Sequence, residues 1–246
     1  MPIPHLQGWF SASVPKAGNR GAENEDAVAA DIKRVRFALA DGATEGWQSR
    51  TWANHLAQAY IRKPPGPPDF HQWLADLRKS WTPPAPKSEH WYAEAKQEQG
   101  SFATILGLEF RRATDSSGLI WKAVAVGDTC LFVVRGNTCE PFPINSADEF
   151  GNQPPLVPSS TDRDCPDPEW LAGWAEPGDL FLLATDAVAR FILQSQEPRE
   201  ASPIVQAAKL GVASGMSKPM VDLLGKLRTQ LNDDASVIAV RVADAK

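Results

Sequence analysis

Two short apolar runs joined by a charged connection constrain the fold of this chain more than any other feature. Residues 27–30 (AVAA) and 35–40 (VRFALA) consist mostly of small, branched or aromatic side chains, and three of the four residues 31–34 between them are charged. Short runs of this kind, bounded by polar turn residues, are typical of β-strands. We therefore predict an antiparallel hairpin over residues 27–40.

The register of this hairpin places acidic residues at its open end. A turn centred on residues 33 and 34 puts Asp26 opposite Asp41 and Glu25 opposite Gly42. Directly opposed side chains lie only about 4.5–5.5 Å apart at Cβ, and two like charges at that distance destabilise the pair. A hard metal ion between the carboxylates is the simplest compensating charge, so the hairpin predicts a cation site.

The remaining pattern alternates between helical and β segments. Apolar spacing and proline breaks predict helices over residues 45–61, 70–81, 88–99, 202–214 and 217–230, with a short helix after Asp186. Strands are predicted over residues 8–14, 101–112, 118–129, 130–142, 179–185 and 235–243. The three strands between residues 101 and 142 are expected to form a meander. A turn at Gly136 and Asn137 would place Val134 opposite Cys139, which leaves Cys130 too far along the ladder for a disulfide with Cys139.

Three further carboxylates lie at predicted strand ends. Asp186 follows the strand 179–185, Asp233 precedes the last strand, and Asp128 lies in a turn between two strands. If these strands are antiparallel neighbours, their carboxylates share one rim of the sheet with Asp26 and Asp41. Oxygen ligands without histidine or cysteine suit Mg²⁺, Mn²⁺ or Ca²⁺ rather than Zn²⁺. Taken singly, Asp128 is equally well explained as a turn former or a helix cap, and for Asp41, Asp186 and Asp233 that explanation is the more common one. The rim predicted for all of them together favours the metal site.

Composition excludes several classes of function. The 246 residues carry a net charge of −5, whereas a nucleic-acid-binding protein normally has a basic patch. The sequence has neither an apolar run of about 18 residues nor an N-terminal signal peptide, which predicts no membrane partner. Three cysteines, an odd number, are typical of a reducing compartment. We therefore predict a cytoplasmic protein.

Five short motifs occur in an order that resembles a known family. They are residues 24–27 (NEDA), 40–42 (ADG), 127–129 (GDT), 185–186 (TD) and 233–236 (DDAS). In this order and spacing they resemble the metal-dependent type 2C protein phosphatases, the PPM family, and in particular its bacterial branch. Each motif is weak alone, but the five together extend the resemblance from about residue 10 to about residue 242.

The resemblance implies a fold, an activity and partners. The expected fold is α+β, a four-layer α/β/β/α sandwich of two antiparallel β-sheets flanked by helices. One phosphatase-like domain would cover residues 1–246, with a flap-like segment at about residues 144–176. The implied activity is protein serine/threonine phosphatase, hydrolysing phosphomonoesters through a water held by two Mn²⁺ or Mg²⁺ ions, with a third, weaker metal site. A phosphorylated protein, and a Ser/Thr kinase or its targets, would be the partners.

The resemblance also implies roles for individual residues. Asp41 would bridge the two metals and act as a catalytic residue, and the Gly42 carbonyl would bind one metal. The other ligands implied are Asp186 and Asp233 at the second metal, Glu25 and Asp26 directly or through water, and Asp128 with Asp186 at the third site.

The sequence departs from the family pattern in the residues that contact phosphate. The family usually has an arginine three residues before the Asn of the first motif, where this chain has Gly21. Arg20, the preceding residue, is the expected but displaced substitute. No histidine follows Gly42, and alanine follows Asp186 where the family usually has glycine. Two alternatives therefore stay open: a catalytically silent phosphoprotein-binding or regulatory subunit, and a hydrolase of small phosphorylated metabolites.

Overall fold

The computed structural model describes residues 6–44, 47–83, 100–114, 118–151, 153–195 and 198–243. The strands in these ranges are β1 Leu6–Val14, β2 Ala27–Asp31, β3 Arg36–Ala40, β4 Phe102–Ala103, β5 Ile105–Arg112, β6 Leu119–Val126, β7 Cys130–Arg135, β8 Thr138–Phe142, β9 Val157–Pro158, β10 Glu169–Ala175, β11 Leu180–Ala184 and β12 Ala235–Val242. The helices are α1 Ser49–Arg62, α2 Phe70–Ser80, α3 Asp186–Leu193, α4 Pro203–Ser214 and α5 Lys218–Leu231.

Most of the strands form two five-stranded antiparallel sheets. The first sheet has the order β1-β12-β11-β7-β8 and the second has the order β10-β6-β5-β3-β2, while β4 and β9 form a separate two-stranded ladder. Every strand pairing in the described residues is antiparallel.

Three apolar cores hold four layers together. The core between the two sheets includes Phe37, Leu108, Phe181 and Ile238, all with fully buried side chains. Helices α1 and α2 cover the outer face of the second sheet, and α3, α4 and α5 cover the outer face of the first. Burying one such apolar side chain contributes roughly 1.5–3 kcal/mol. The predicted α/β/β/α sandwich is therefore confirmed.

Local sequence explains where several helices begin and end. In α1, Trp52, Leu56 and Tyr60 are buried at i, i+4 spacing, which is the pattern of a helix with one apolar face. Helix α4 begins at Pro203, whose ring suits the first helical turn, and is followed by Gly215 in a left-handed conformation, with φ of 67°. The helix predicted over 45–61 begins only at Ser49.

The predicted hairpin is confirmed in its register. Ala27 pairs with Ala40 and Ala30 pairs with Phe37, as expected for a turn centred on residues 33 and 34. Strand β3 begins at Arg36 because Val35 has a left-handed backbone, with φ of 53°, and belongs to the turn. The open end of the hairpin therefore carries residues 25–26 and 41–42, as predicted.

The predicted meander over residues 101–142 is wrong. Strands β5 and β6 pair, but β7 pairs with β11 and β8 in the opposite sheet. The chain crosses between the sheets at Gly127, whose φ is 104°. A Cβ at that residue would lie 2.6 Å from Thr104 Cγ2 and 2.9 Å from the Pro155 oxygen, so only glycine fits. Asp128 therefore lies at a sheet-to-sheet crossing rather than in a hairpin turn.

The flap-like segment 144–176 contains regular structure that its composition did not predict. Its last part is β10, which takes the edge of the second sheet beside β6, and its middle part contains β9. The predicted helix over 88–99 lies outside the described residues.

The cysteine prediction agrees with the structure. Val134 pairs with Cys139 as expected, and Cys130 and Cys139 are both free thiols. Separately, the described residues contain no helix with the length and apolar character needed to cross a membrane.

Candidate metal centre

The predicted carboxylates lie at one end of the sandwich and belong to both sheets. Asp41 follows β3 of the second sheet, whereas Asp186 follows β11 and Asp233 precedes β12, both in the first sheet. The prediction that these carboxylates share the rim of a single sheet is therefore wrong. They lie at the ends of strands that belong to two sheets facing each other. The cavity between them has a volume of about 640 Å³ and its lining includes Glu25, Asp41, Gly42, Asp128, Asp186, Asp233 and Asp234.

Two hydrogen bonds to Thr104, which is itself bonded to Thr129, fix the backbone at Asp41. The Thr104 amide donates to the Asp41 carbonyl at 2.8 Å, and the Asp41 amide donates to Thr104 Oγ1 at 3.1 Å. The Thr104 and Thr129 hydroxyls lie 2.6 Å apart and share a hydrogen bond. Because Thr129 follows Asp128, this buried chain of bonds couples the positions of the two aspartates.

Gly42 is required by the close approach of α1. A Cβ there would lie 2.8 Å from the Ser49 carbonyl carbon and 2.9 Å from the Arg50 nitrogen. Gly42 also forms an isolated β-bridge with Ala103. The residue is therefore fixed from both sides while it lines the cavity.

Asp26 is half-buried and is not among the residues that line the cavity. Its amide donates to Asn24 Oδ1 at 2.8 Å, and the Thr185 hydroxyl approaches its Oδ2 at 3.4 Å. Its other oxygen, Oδ1, is buried and has no hydrogen-bond partner among the described residues. Burial raises the pKa of Asp26 to about 8, and the Asp234, Asp186 and Asp233 carboxylates add to this effect.

The neighbouring carboxyl groups also have raised pKa values. Burial raises the pKa of Asp41 well above its usual range, and Asp26 and Asp186 raise it further. Burial and the charge of Asp186 raise the pKa of Asp128 to about 6. The pKa values of Asp186 and Glu25 are also raised, in both cases mainly by burial. These acids are thus packed together without enough positive charge from the protein.

Asp234 has a role that the sequence did not reveal. Its two carboxylate oxygens accept hydrogen bonds from the Lys16 amide at 2.8 Å and the Glu25 amide at 2.7 Å. The Thr44 hydroxyl donates to the Glu25 carboxylate at 2.6 Å. Asp234 therefore holds the loop before β2 in place, and Thr44 orients the Glu25 side chain.

The predicted arginine and the arginine found at the cavity are different residues. Arg20 is exposed, its amide donates to Glu23 Oε2 at 2.7 Å, and it is not among the residues that line the cavity. Arg190 does line it, and its charge opposes the rise in pKa of both Asp128 and Asp186. The one sequence feature that could have indicated Arg190 is its position four residues after Asp186, one helical turn along α3.

The donor set fits a hard divalent cation. Carboxylate and carbonyl oxygens are the preferred ligands of Mg²⁺, Mn²⁺ and Ca²⁺, and the unpartnered Oδ1 of Asp26 lies in a group of acids with raised pKa values. No three His, Cys, Asp or Glu side chains of the described residues already surround a common point as metal ligands do. The acids therefore share a cavity without forming a ready-made cluster of three ligands among the described residues.

Comparison with solved structures identifies the fold. A bacterial serine phosphatase superposes with a TM-score of 0.67 at 12% identity, covering 98% of this chain and 100% of that chain. The catalytic domain of the serine/threonine phosphatase PstP in complex with two manganese ions gives 0.61 at 18% identity, with 98% and 100% covered. The PPM Ser-Thr phosphatase MsPP from Mycobacterium smegmatis gives 0.61 at 16% identity, with 97% and 99% covered.

Comparison of sequences finds no relative of this chain, whereas comparison of structures does. Neither protein-family models nor curated protein sequences give a match to this chain. The likeness therefore lies in the fold, over nearly the whole chain, and the resemblance predicted from five short motifs is confirmed at that level.

Proposed function

We propose that this chain, whose fold is that of the bacterial PPM phosphatases, is a metal-dependent protein serine/threonine phosphatase. The observation that carries the proposal is the set of four aspartates, Asp41, Asp128, Asp186 and Asp233, that two opposed sheets bring to one cavity. The structural neighbours named above, one of them with two manganese ions, support the same function.

Seven residues would hold the metal ions in this proposal. Asp41 and the Gly42 carbonyl, with Asp186 and Asp233, would form the binuclear site, Glu25 and Asp26 would bind directly or through water, and Asp128 with Asp186 would form a third, weaker site. Two divalent cations, when bound, lower the pKa of a water between them and neutralise charge on the phosphoryl group. Mn²⁺ and Mg²⁺ are both compatible with oxygen ligands of this kind.

The protein's own contribution is to position the reacting groups. In the hydrolysis, a water oxygen forms a bond to phosphorus and gives up a proton, the bond from phosphorus to the serine or threonine oxygen breaks, and that oxygen takes up a proton and leaves as the alcohol. The described residues that line the cavity include no cysteine, histidine or serine, which agrees with water as the nucleophile. Catalysis of phosphoryl transfer depends mainly on positioning and charge stabilisation, and the Thr104 and Asp234 hydrogen bonds would keep the acids in place.

The direct test is metal-dependent hydrolysis of a phosphomonoester. With Mn²⁺, the purified protein is expected to hydrolyse p-nitrophenyl phosphate and a phosphothreonine peptide, and Asp41→Asn is expected to reduce the rate at least a hundredfold. Asp31→Asn is the matched control, because Asp31 pairs with Arg34 in the turn at the other end of the hairpin. Full activity in Asp41→Asn, or none with any divalent metal, would contradict the proposal.

Substrate class is tested by a panel. We expect phosphoserine and phosphothreonine peptides to be better substrates than sugar phosphates or nucleotides, with the phosphorylated targets of a Ser/Thr kinase as the physiological substrates. Preference for a metabolite would instead identify a small-molecule phosphatase with the same fold.

A catalytically silent phosphoprotein-binding subunit is the second candidate. Two observations favour it: Arg20 is absent from the cavity lining, and the described acids do not form a cluster of three metal ligands. Calorimetric titration with Mn²⁺ separates the two candidates, because a phosphatase must bind the metal and a silent relative need not. Metal binding without turnover of any phosphomonoester would favour the silent relative.

A further inference from the structure

We propose that Arg190 binds the phosphate group of the substrate, directly beside the carboxylate cluster. This inference rests on the proposed phosphatase function and assigns to Arg190 the contact that the sequence had suggested for Arg20.

Helix α3 determines the position of Arg190. Residues four apart on a helix lie on the same face, so Arg190 is one turn beyond Asp186 and faces the same cavity. Its charge acts on both Asp186 and Asp128, which come from different parts of the fold. A phosphate bound in this cavity would therefore lie next to a guanidinium.

A contact with an aromatic ring holds the Arg190 guanidinium in place, and no ion pair of the described residues occupies it. Its Cζ lies 5.1 Å from the centre of the Phe150 ring, within the range of a cation–π contact. Its Nε is buried and has no hydrogen-bond partner among the described residues. No ion pair within 4.0 Å in the described part of the chain includes Arg190. Its planar donor fork, which suits phosphate oxygens, is thus available.

The cavity lining carries an excess of negative charge, and Arg190 opposes it. The lining contains six acidic residues, and Arg190 is the single basic residue that the described chain contributes to it. A phosphate dianion would be repelled by the carboxylates alone, and two divalent cations offset most of that negative charge. Arg190 then supplies fixed positive charge that is available to the phosphoryl oxygens.

A purely compensating role for Arg190 makes opposite predictions. If the guanidinium only offsets the carboxylates, Arg190→Ala should tighten Mn²⁺ binding and leave phosphate binding unchanged. If it binds phosphate, the same variant should weaken phosphate binding to the metal-loaded protein.

Calorimetric titration of inorganic phosphate into the Mn²⁺-saturated protein tests the inference without relying on turnover. We expect Arg190→Ala to weaken phosphate binding about tenfold or more, the loss of a charged hydrogen bond. Arg190→Lys keeps the charge but not the fork, so we expect an intermediate loss of about threefold. Arg112→Ala removes an exposed arginine at the opposite end of β5 and should leave phosphate affinity unchanged. The unfolding temperature of each variant, which we expect to be close to that of the wild type, serves as a check on folding.

The outcomes separate this inference from the proposed function. Wild-type phosphate affinity in Arg190→Ala, or no phosphate binding by the metal-loaded wild type, overturns the role of Arg190. Absence of turnover, with phosphate binding that still depends on Arg190, overturns the phosphatase proposal but supports the phosphate site.

Discussion

Asp41 and Thr104 are joined by two hydrogen bonds: the Thr104 amide donates to the Asp41 carbonyl at 2.8 Å, and the Asp41 amide donates to Thr104 Oγ1 at 3.1 Å. Thr104 is 3% exposed and lies between the ladder strands β4 and β5. The proposed bridging ligand is therefore held by a residue with no ligand role of its own.

Thr104→Val should weaken the proposed metal site only by changing the position of Asp41. The substitution keeps the shape but removes the acceptor for the Asp41 amide and the partner of Thr129. Leaving such a buried group unsatisfied costs about 1–3 kcal/mol. We expect a lower unfolding temperature, weaker Mn²⁺ binding by calorimetry and a lower kcat. Thr138→Val, which removes an exposed hydroxyl at the start of β8, should change none of the three.

Gly42→Ala should displace the backbone that is proposed to bind a metal. A Cβ only 2.8 Å from the Ser49 carbonyl carbon forces α1 or the Gly42 backbone to move, and overpacking of this kind costs about 1–3 kcal/mol. We expect weaker Mn²⁺ binding together with reduced stability. Gly21→Ala is the control, because nothing lies within 4 Å of its Cβ position. Unchanged metal affinity in Gly42→Ala would argue against a ligand role for its carbonyl.

The metal-free protein should lose stability as the pH rises. The folded pKa of Asp26, about 8, lies above the ordinary value of 3.8, so the folded state binds more protons than the unfolded state between these values. The free energy of unfolding therefore falls with rising pH across this window. In EDTA we expect the unfolding temperature to decrease from about pH 5 to about pH 8, and Mn²⁺ should oppose the decrease.

Asp26→Asn tests the source of that pH dependence. The amide cannot ionise, so the slope of unfolding temperature against pH should become shallower, with a remainder from Asp41 and Asp128, whose pKa values are also raised. A wild-type unfolding temperature that rises across the same range in EDTA would contradict the assignment.

Local pairing was predictable from the sequence, and non-local pairing was not. The 27–40 hairpin has a short connection, so its turn fixes the register and thereby the positions of Asp26 and Asp41. The crossing at Gly127 was missed because alternating apolar residues identify strands but not their partners. The residues Gly-Asp-Thr at 127–129 are compatible with a turn between two neighbouring strands and equally with a crossing from one sheet to the other.

The candidate site was predictable in its acids but not in its supporting residues. Carboxylates at strand ends form a pattern that can be recognised in the sequence. Thr104, by contrast, acts through a partner 63 residues away, and no local pattern indicates such a contact. Arg190 resembles any arginine on a helix until the direction of α3 is known.

The doublet Asp233–Asp234 offers the last prediction, because the structure assigns different contacts to two neighbours of the same type. Asp234 accepts from the Lys16 and Glu25 amides at 2.8 and 2.7 Å, whereas Asp233 lines both the large cavity and a smaller adjoining one. In Asp234→Asn, one oxygen becomes an NH₂ donor that faces an amide donor, which should cost about 1–3 kcal/mol with or without metal.

Asp233→Asn should behave in the opposite way. Removing one of several crowded carboxylates lowers their repulsion, so we expect the metal-free protein to be as stable as the wild type or more stable, while Mn²⁺ affinity falls. Thermal unfolding in EDTA and calorimetry with Mn²⁺ measure the two effects separately. A loss of stability in EDTA for Asp233→Asn, with unchanged Mn²⁺ binding, would reverse the roles inferred for the two aspartates, because the side chain that supports the loop would then be Asp233.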